Sequence, residues 1–385
     1  MYYYKTKLFN EQNKKYRRFS QIRKEGGVYK KRMAAVIKKM KENSIHQLIV
    51  SKESSIFYLL GENIDPGERF HVLLIHETGK IRLYINRLFN LKKPLDLFIH
   101  WYDDTENIGE IFSNRIQEDT IVGVEKEWPS GFLLELMDFK PSITVRNASK
   151  IISEGRMIKD SEEIEALKRA SKINDEAMTL LFNKLQQGRS ELELAQELSN
   201  IYLNLGTDGF SFEPLICYGK ACAEPHHHSD HTKLTNNQSV IIDIGCLKDG
   251  YCSDMTRSFY FGTPPAEYLT IYALVLKANT EAIKAIKPGV LLKDIDQAGR
   301  DIIEAAGYGD YFTHRMGHNI GIEVHEYPDV SRVSTVEAQE GMVFSIEPGI
   351  YIPGKYGVRI EDLVLVTKDG CEVLNNYPKN LKTFK

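Results

Sequence analysis

Four carboxylates stand in apolar strand-like sequence that would not ordinarily admit them. Val240-Ile241-Ile242-Asp243-Ile244-Gly245 is a buried-strand run interrupted by one acid. After the turn signal Asp249-Gly250, the chain returns as Cys252-Ser253-Asp254-Met255-Thr256. With 249 and 250 at the centre of the turn, position 254 pairs with 245. Asp243 is then the diagonal neighbour of Asp254 on the same face, about 7–8 Å away. Gly245, opposite Asp254, is expected to leave the space between the two acids open. Two carboxylates on an otherwise apolar face repel each other and lose hydration, so they need a cation or a shared proton. The plainer alternative has one Asp capping a turn and the other solvated, and a shared face argues against it.

A second acidic pair lies near the end of the chain. Val343-Phe344-Ser345-Ile346-Glu347-Pro348-Gly349 places Glu347 at the end of an apolar strand. Gly357-Val358-Arg359-Ile360-Glu361-Asp362-Leu363-Val364 places Arg359 and Glu361 on one face of the next, by the two-residue alternation of a strand. Between the pairs runs His314-Arg315-Met316-Gly317-His318-Asn319-Ile320-Gly321-Ile322-Glu323-Val324-His325-Glu326, whose histidines offer nitrogen ligands or proton carriers. Four carboxylates and one imidazole make an oxygen-rich site suited to Mn²⁺, Co²⁺, Fe²⁺ or Zn²⁺ rather than a thiolate zinc site. One divalent ion would leave excess negative charge. Two ions about 3.5–4 Å apart balance it and can share a hydroxide.

The elements that must position these residues are legible from periodicity. Met33 to Asn43 reads as a helix, followed by a strand from His46 to Val50. Strands His71–Ile75 and Ile81–Ile85 flank a hairpin turn, and Thr120–Val124 is a further strand. No catalytic constellation appears in this region. Around 150–160 the pattern changes. Asp160 and Glu163 form a capping-box signature ahead of a long amphipathic helix through Ile164, Leu167, Ala170, Ile173 and Met178. A helix from Leu192 to Leu205 ends at Gly206, strands occupy roughly 211–262, two helices cover about 267–286 and 293–306, and strands close the chain from 311. Helix pair, strands, helix pair, strands suggests an internal duplication around one site.

A chain of 385 residues exceeds one ordinary hydrophobic core, so two domains are expected. Its 42% apolar and 27% charged residues suit a soluble globular protein, and no stretch approaches the roughly 20 apolar residues of a membrane helix. No secretory leader is read at the start. The five cysteines Cys217, Cys222, Cys246, Cys252 and Cys371 lack CxxC spacing and read as free thiols, so a cytoplasmic location is expected. Residues 1–40 hold 13 Lys/Arg against 2 Asp/Glu, a net of +11, which leaves −14 on the other 345. The basic opening reads as a solvated extension, with Met33 a candidate natural start. A nucleic-acid-binding arm is the competing reading, and the acidic body argues against nucleic acid as a partner.

Three stretches together resemble the pita-bread metallopeptidases, the family that includes methionine aminopeptidase, aminopeptidase P and prolidase. They are IIDIGCLKDGYCSDMTRSFYFG (241–262), HRMGHNIGIEVHEYP (314–328) and GMVFSIEPGIYIPGKYGVRIEDLVLVT (341–367). Order and spacing match over about 158–380, and the preceding region looks like a creatinase/prolidase-type N-domain. The resemblance implies an α/β (α+β) chain with a basic extension over 1–32, an N-terminal domain over 33–152 and a pita-bread catalytic domain over 153–385. It implies Asp243, Asp254, His318, Glu347 and Glu361 as ligands of two divalent ions per subunit, Mn²⁺ foremost, with Asp254 and Glu361 shared between the ions.

By the same match, Glu347 shuttles protons while His325 and His226 contact substrate and stabilise the oxyanion. Arg359 pairs with a substrate carboxylate or with a ligand carboxylate. Tyr251, Thr256 and Arg257 are supporting residues, and Cys246 and Cys252 are packing residues. The neighbours His227, His228 and His231 are read as loop residues rather than a metal patch. Asn319 departs from the glycine frequent in the family, which alters the loop but removes no ligand. The EPGIY and RIED segments and the N-domain resemble the proline-specific branch. The implied activity is an Xaa-Pro dipeptidase acting on short proline-containing peptides, with an Xaa-Pro aminopeptidase as alternative and a non-peptidase binding module as a remote one. The resemblance also implies a homodimer.

Overall fold

The computed structural model describes residues 27–385 apart from Lys93. The chain divides into two compact units, the first ending at Arg156 and the second beginning at Met157. The basic extension expected over 1–32 lies outside the described residues for its first 26 positions. Its last six are helical. The first helix spans Gly27–Glu42, not Met33 onward, and buries Arg32 with Met33, Val36 and Met40. Arg32 Nη1 donates to the Tyr58 carbonyl at 2.8 Å, and the guanidinium lies 4.2 Å from the Tyr58 ring centre. Lys30 and Lys31 point to solvent, which hid the apolar face of this first turn from periodicity.

The first unit is built on a six-stranded mixed sheet in the order Phe98–Tyr102, Ile81–Asn86, Val72–His76, Gln47–Val50, Ile121–Val124, Thr144–Asn147. The expected hairpin is present, with Ile75 opposite Ile81. Aromatic rings fill the core beneath it: Phe70 packs against Tyr84, Phe112, Trp128 and Phe132 with ring centres 5.0–6.3 Å apart. No helix among the described residues is long and apolar enough to cross a membrane.

The second unit shows the duplicated pattern. Helices Ser161–Phe182 and Glu191–Leu205 share one core with strands Leu215–Tyr218, Gln238–Ile244 and Met255–Phe261. Helices Ala266–Lys284 and Leu292–Ala305 share another with Val343–Ile346, Gly349–Ile352, Tyr356–Arg359 and Asp362–Val366. Both helices of the first pair start at full capping boxes, Asp160 with Glu163 and Ser190 with Glu193. Gly206 ends the second of them in the left-handed region at φ 72°, where glycine carries no side-chain penalty.

The 243–256 hairpin takes the expected register: Thr256 faces Asp243, Met255 faces Ile244, and Leu247 faces Cys252. Asp249 and Gly250 have φ 58° and 79°, the double positive φ of a type I′ turn. The ladder breaks at Gly245 and at Ser253–Asp254, however, and Gly245 does not hold open space between the acids. A Cβ there would lie 2.1 Å from both Ser211 Oγ and the Ser253 carbonyl. The glycine is required by backbone packing behind the acids, not by the gap between them.

The stretch 356–366 differs from the expected single strand. Tyr356–Arg359 pairs with Gly349–Ile352 in a two-stranded ribbon, whereas Asp362–Val366 pairs with Val343–Ile346 in a five-stranded sheet. Glu361 lies in the crossing between them.

Candidate metal centre

The five expected ligands converge within the second unit. Asp243 sits on the central strand Gln238–Ile244 of a four-stranded sheet, and Asp254 lies just before the neighbouring strand. His318 lies on Gly317–Asn319, while Glu347 follows Val343–Ile346 and Glu361 precedes Asp362–Val366, all in the five-stranded sheet or at its edge. Ligand atoms of Asp254, His318 and Glu361 lie within 4.8 Å of one another. His318 Nε2 stands 3.7 Å from Asp254 Oδ2 and 3.5 Å from Glu347 Oε1.

The chemistry of this donor set fits divalent cations. Asp254, His318 and Glu361 are 4%, 3% and 1% exposed, and the Oδ1 atoms of Asp243 and Asp254 are buried with no hydrogen-bond partner. Burial, reinforced by Glu361, Asp243 and Glu347, pushes the Asp254 carboxyl far above its usual range. Burial, with the charges of Glu347 and Asp243, does the same to Glu361. Glu347 is pushed up to about 7 by burial, against the opposing pull of Arg359. Burial holds His318 down to about 3, so its ring is neutral. Its Nδ1 faces the Asn319 carbonyl at 3.2 Å; donation there leaves the Nε2 lone pair toward the acids, the tautomer a metal ligand needs. Crowded acids with orphaned oxygens beside a neutral imidazole form a site that positive charge would complete.

A layer of hydrogen bonds holds the donors in place. Thr256 Oγ1 donates to Glu361 Oε2 at 2.7 Å, and Glu361 N–H donates to the Thr256 carbonyl at 3.1 Å. Arg257, fully buried, donates to the Glu361 carbonyl at 2.6 Å and to Asp362 Oδ1 at 2.7 Å. Arg359 donates to Asp243 Oδ2 at 2.7 Å, Thr256 Oγ1 at 3.0 Å and the Tyr351 hydroxyl at 2.9 Å. Of the two partners expected for Arg359, the one it meets is the carboxylate of Asp243, an expected ligand; all three of its nitrogens are engaged by protein. Tyr251 donates to Glu163 at 3.0 Å, away from the carboxylates. Cys246 and Cys252 are buried and point their thiols at the Ala170 and Ile322 carbonyls, in keeping with packing roles. Asn319 is wholly buried and ties the 317–328 segment together through Nδ2 to the Pro328 carbonyl at 2.9 Å.

The histidines separate by environment. The rings of His325 and His318 meet edge to face, 4.3 Å apart. Partial burial, then Arg315, hold the His325 pKa below its usual value against the opposing pull of Asp329 and Asp243. His226 is exposed. His227 instead meets Glu191 Oε2 at 2.8 Å. Glu191, His227 and Asp230 form a second group of metal-ligand types. There, however, Glu191 Oε1 accepts from Tyr218 N–H, and Oε2 also accepts from Asp230 N–H, both at 2.9 Å. That group is a satisfied brace for the 225–230 segment.

Sequence reasoning missed two asparagines. Asn174, on the first helix of the first pair, donates to the Ile244 carbonyl at 2.7 Å, next to Asp243. Asn279, on the first helix of the second pair, donates to the Ile346 carbonyl at 3.0 Å, next to Glu347. Both are fully buried. The available signal was a polar residue inside an apolar helical stripe, as Asn174 stands among Leu167, Ala170, Ala177 and Met178.

Comparison with known proteins agrees with this geometry. The model of metallopeptidase family M24 matches residues 165–368, and that of the creatinase/prolidase N-terminal domain matches 32–158. An uncharacterised peptidase of Staphylococcus epidermidis is 40% identical over 334 residues, covering 84% of this chain and 93% of the relative. The structure of prolidase from Thermococcus sibiricus superposes with TM-score 0.87 at 34% identity, over 92% of this chain and 99% of that one. The X-Pro aminopeptidase of Thermotoga maritima superposes with TM-score 0.81 at 27% identity, over 91% and 99%.

Proposed function

The chain belongs to metallopeptidase family M24, and from that premise we propose that it hydrolyses the peptide bond before proline in short peptides, Xaa-Pro dipeptides first. The observation that carries this reading is the similarity to a prolidase over 92% of this chain, joined to the converging donors Asp254, His318, Glu347 and Glu361 beside the buried Asp243. In this reading Asp243, Asp254, His318, Glu347 and Glu361 hold two divalent ions, Mn²⁺ foremost. When bound, such ions supply Lewis acidity to water and to the scissile carbonyl.

The bond to proline nitrogen is a tertiary amide with no N–H. A site that grips that hydrogen cannot use such a bond, whereas one that works on the carbonyl can. Glu347, at the end of strand Val343–Ile346 with Oε1 3.5 Å from His318 Nε2, is placed to take the proton of the attacking water and return it to the leaving proline nitrogen. His325 and His226 reach the substrate from the exposed side and donate to the carbonyl oxygen as it gains charge. Arg359 holds Asp243 in position, and Thr256 does the same for Glu361.

One observation favours the second reading, an Xaa-Pro aminopeptidase acting on longer peptides. Because each nitrogen of Arg359 is engaged, that residue is not the receiver of a dipeptide's terminal carboxylate. Rates on Xaa-Pro and Xaa-Pro-Xaa with Mn²⁺ decide between the two. Faster dipeptide cleavage supports the first reading, faster tripeptide cleavage assigns the second, and cleavage of neither overturns both.

A further inference from the structure

We propose that Arg315 receives the C-terminal carboxylate of the dipeptide substrate, an inference that rests on the dipeptidase reading above. In an Xaa-Pro dipeptide the carboxylate carbon is two bonds from the leaving nitrogen. Its partner must therefore stand close to the group that protonates that nitrogen, assigned above to Glu347. The backbone places Arg315 there. Glu347 N–H donates to the carbonyl of Met316, the residue after Arg315, at 2.8 Å. The segment is held firmly: Arg300 donates to the His314 carbonyl at 2.8 Å, and His314 Nε2 meets the Tyr351 hydroxyl at 2.9 Å. Arg315 Nη1 donates at 2.8 Å to Asp329, which lies directly across the ladder from His318.

Unlike Arg359, which is 4% exposed and fully engaged, Arg315 keeps Nε and Nη2 without a hydrogen-bond partner among the described residues. Its side chain is 34% exposed and that of Asp329 is 49%. An ion pair this open is weak, and a fork with unused donors can take a carboxylate two-pronged beside it. Arg315 also lines an open cleft of about 680 Å³ whose lining includes Glu304, Asp310, Phe312 and His314, and the cleft's other arginines are already taken, Arg300 by Asp296 and Arg332 by Glu304.

The test uses the full chain loaded with Mn²⁺, with Xaa-Pro and Xaa-Pro-amide as paired substrates. The amide keeps the scissile bond and removes the terminal charge. In the wild type the acid has the lower KM. Arg315→Gln should shrink the KM advantage of acid over amide by about tenfold, the equivalent of one charge-assisted contact. Arg315→Lys should keep part of the advantage, and Asp329→Asn, which unburdens the fork, should enlarge it. Equal melting temperature and metal content across the variants make the comparison one of binding. An unchanged advantage in Arg315→Gln, or equal loss on both substrates, overturns the inference while leaving the dipeptidase reading intact. A wild type that cleaves neither substrate overturns that reading and this inference with it.

Discussion

Glu125 in the first unit and Asp254 in the second are equally buried acids, 3% and 4% exposed, yet they play opposite parts. Glu125 accepts from Ser51 N–H at 2.7 Å, Lys52 N–H at 2.8 Å and Ser55 Oγ at 2.5 Å. Both of its oxygens are used, and it fastens a strand end to a helix start. Asp254 has an orphaned Oδ1, a second oxygen 3.7 Å from His318, and three other acids bearing on it. Burial is common to both. What marks the candidate site is burial left unsatisfied, an arrangement that positive charge would complete.

The first way to break this comparison is to remove charge from each acid. Asp254→Asn or Glu361→Gln should abolish binding of at least one ion and lower kcat/KM by roughly a thousandfold, several kcal/mol of lost charge stabilisation. Glu125→Ala should leave metal content unchanged and instead lower stability by about 1–3 kcal/mol, the usual penalty for stranding buried donors. Elemental analysis and denaturant melts of the two variants read the two halves of the claim. Metal loss in Glu125→Ala, or full metal content in Asp254→Asn, would dissolve the distinction.

An intermediate effect is expected at Asn174. Replacing it with Asp sets a carboxylate against the Ile244 carbonyl in place of a donor. Metal affinity, measured by titration calorimetry, should weaken by about tenfold, in the range of displaced supporting partners around a metal. Unchanged affinity would show that the strand holds its position without the amide.

The smallest effect concerns pH and the first unit. His71 is 5% exposed, neither ring nitrogen has a hydrogen-bond partner, and burial holds its pKa down to about 4. The folded state therefore disfavours its proton. Stability from the neutral ring is present above the ordinary value of 6.5 and is lost as pH falls from there through about 4. His71→Leu should reduce the fall in melting temperature between pH 6.5 and pH 4.5 by a few degrees. An identical pH profile in variant and wild type would contradict that assignment.

The local elements of the second unit were legible because their signals are local. The capping box at Asp160, a turn with φ > 0 at Asp249 and Gly250, and an apolar run broken by Asp243 each need only neighbouring residues. The hairpin register follows from turn length alone. What eluded the sequence depends on distant partners. Gly357 lies against the Cys222 carbonyl, so a Cβ there would come within 1.9 Å of it. The strand leaves its expected course after Arg359, and Glu361 reaches its place through a break rather than by alternation. Arg359 shows the same limit. Its type and position marked it as important, but only the fold shows it beside Asp243, 116 residues away.

The central claim is that the unsatisfied acids form a metal centre that works on peptide bonds. The most direct test is to strip the full chain with a chelator and titrate Mn²⁺ back, counting bound ions while following Xaa-Pro hydrolysis. Two ions per chain, with activity absent from the stripped protein and rising as they bind, is the predicted result. Full hydrolysis by protein in which elemental analysis finds no metal would contradict it.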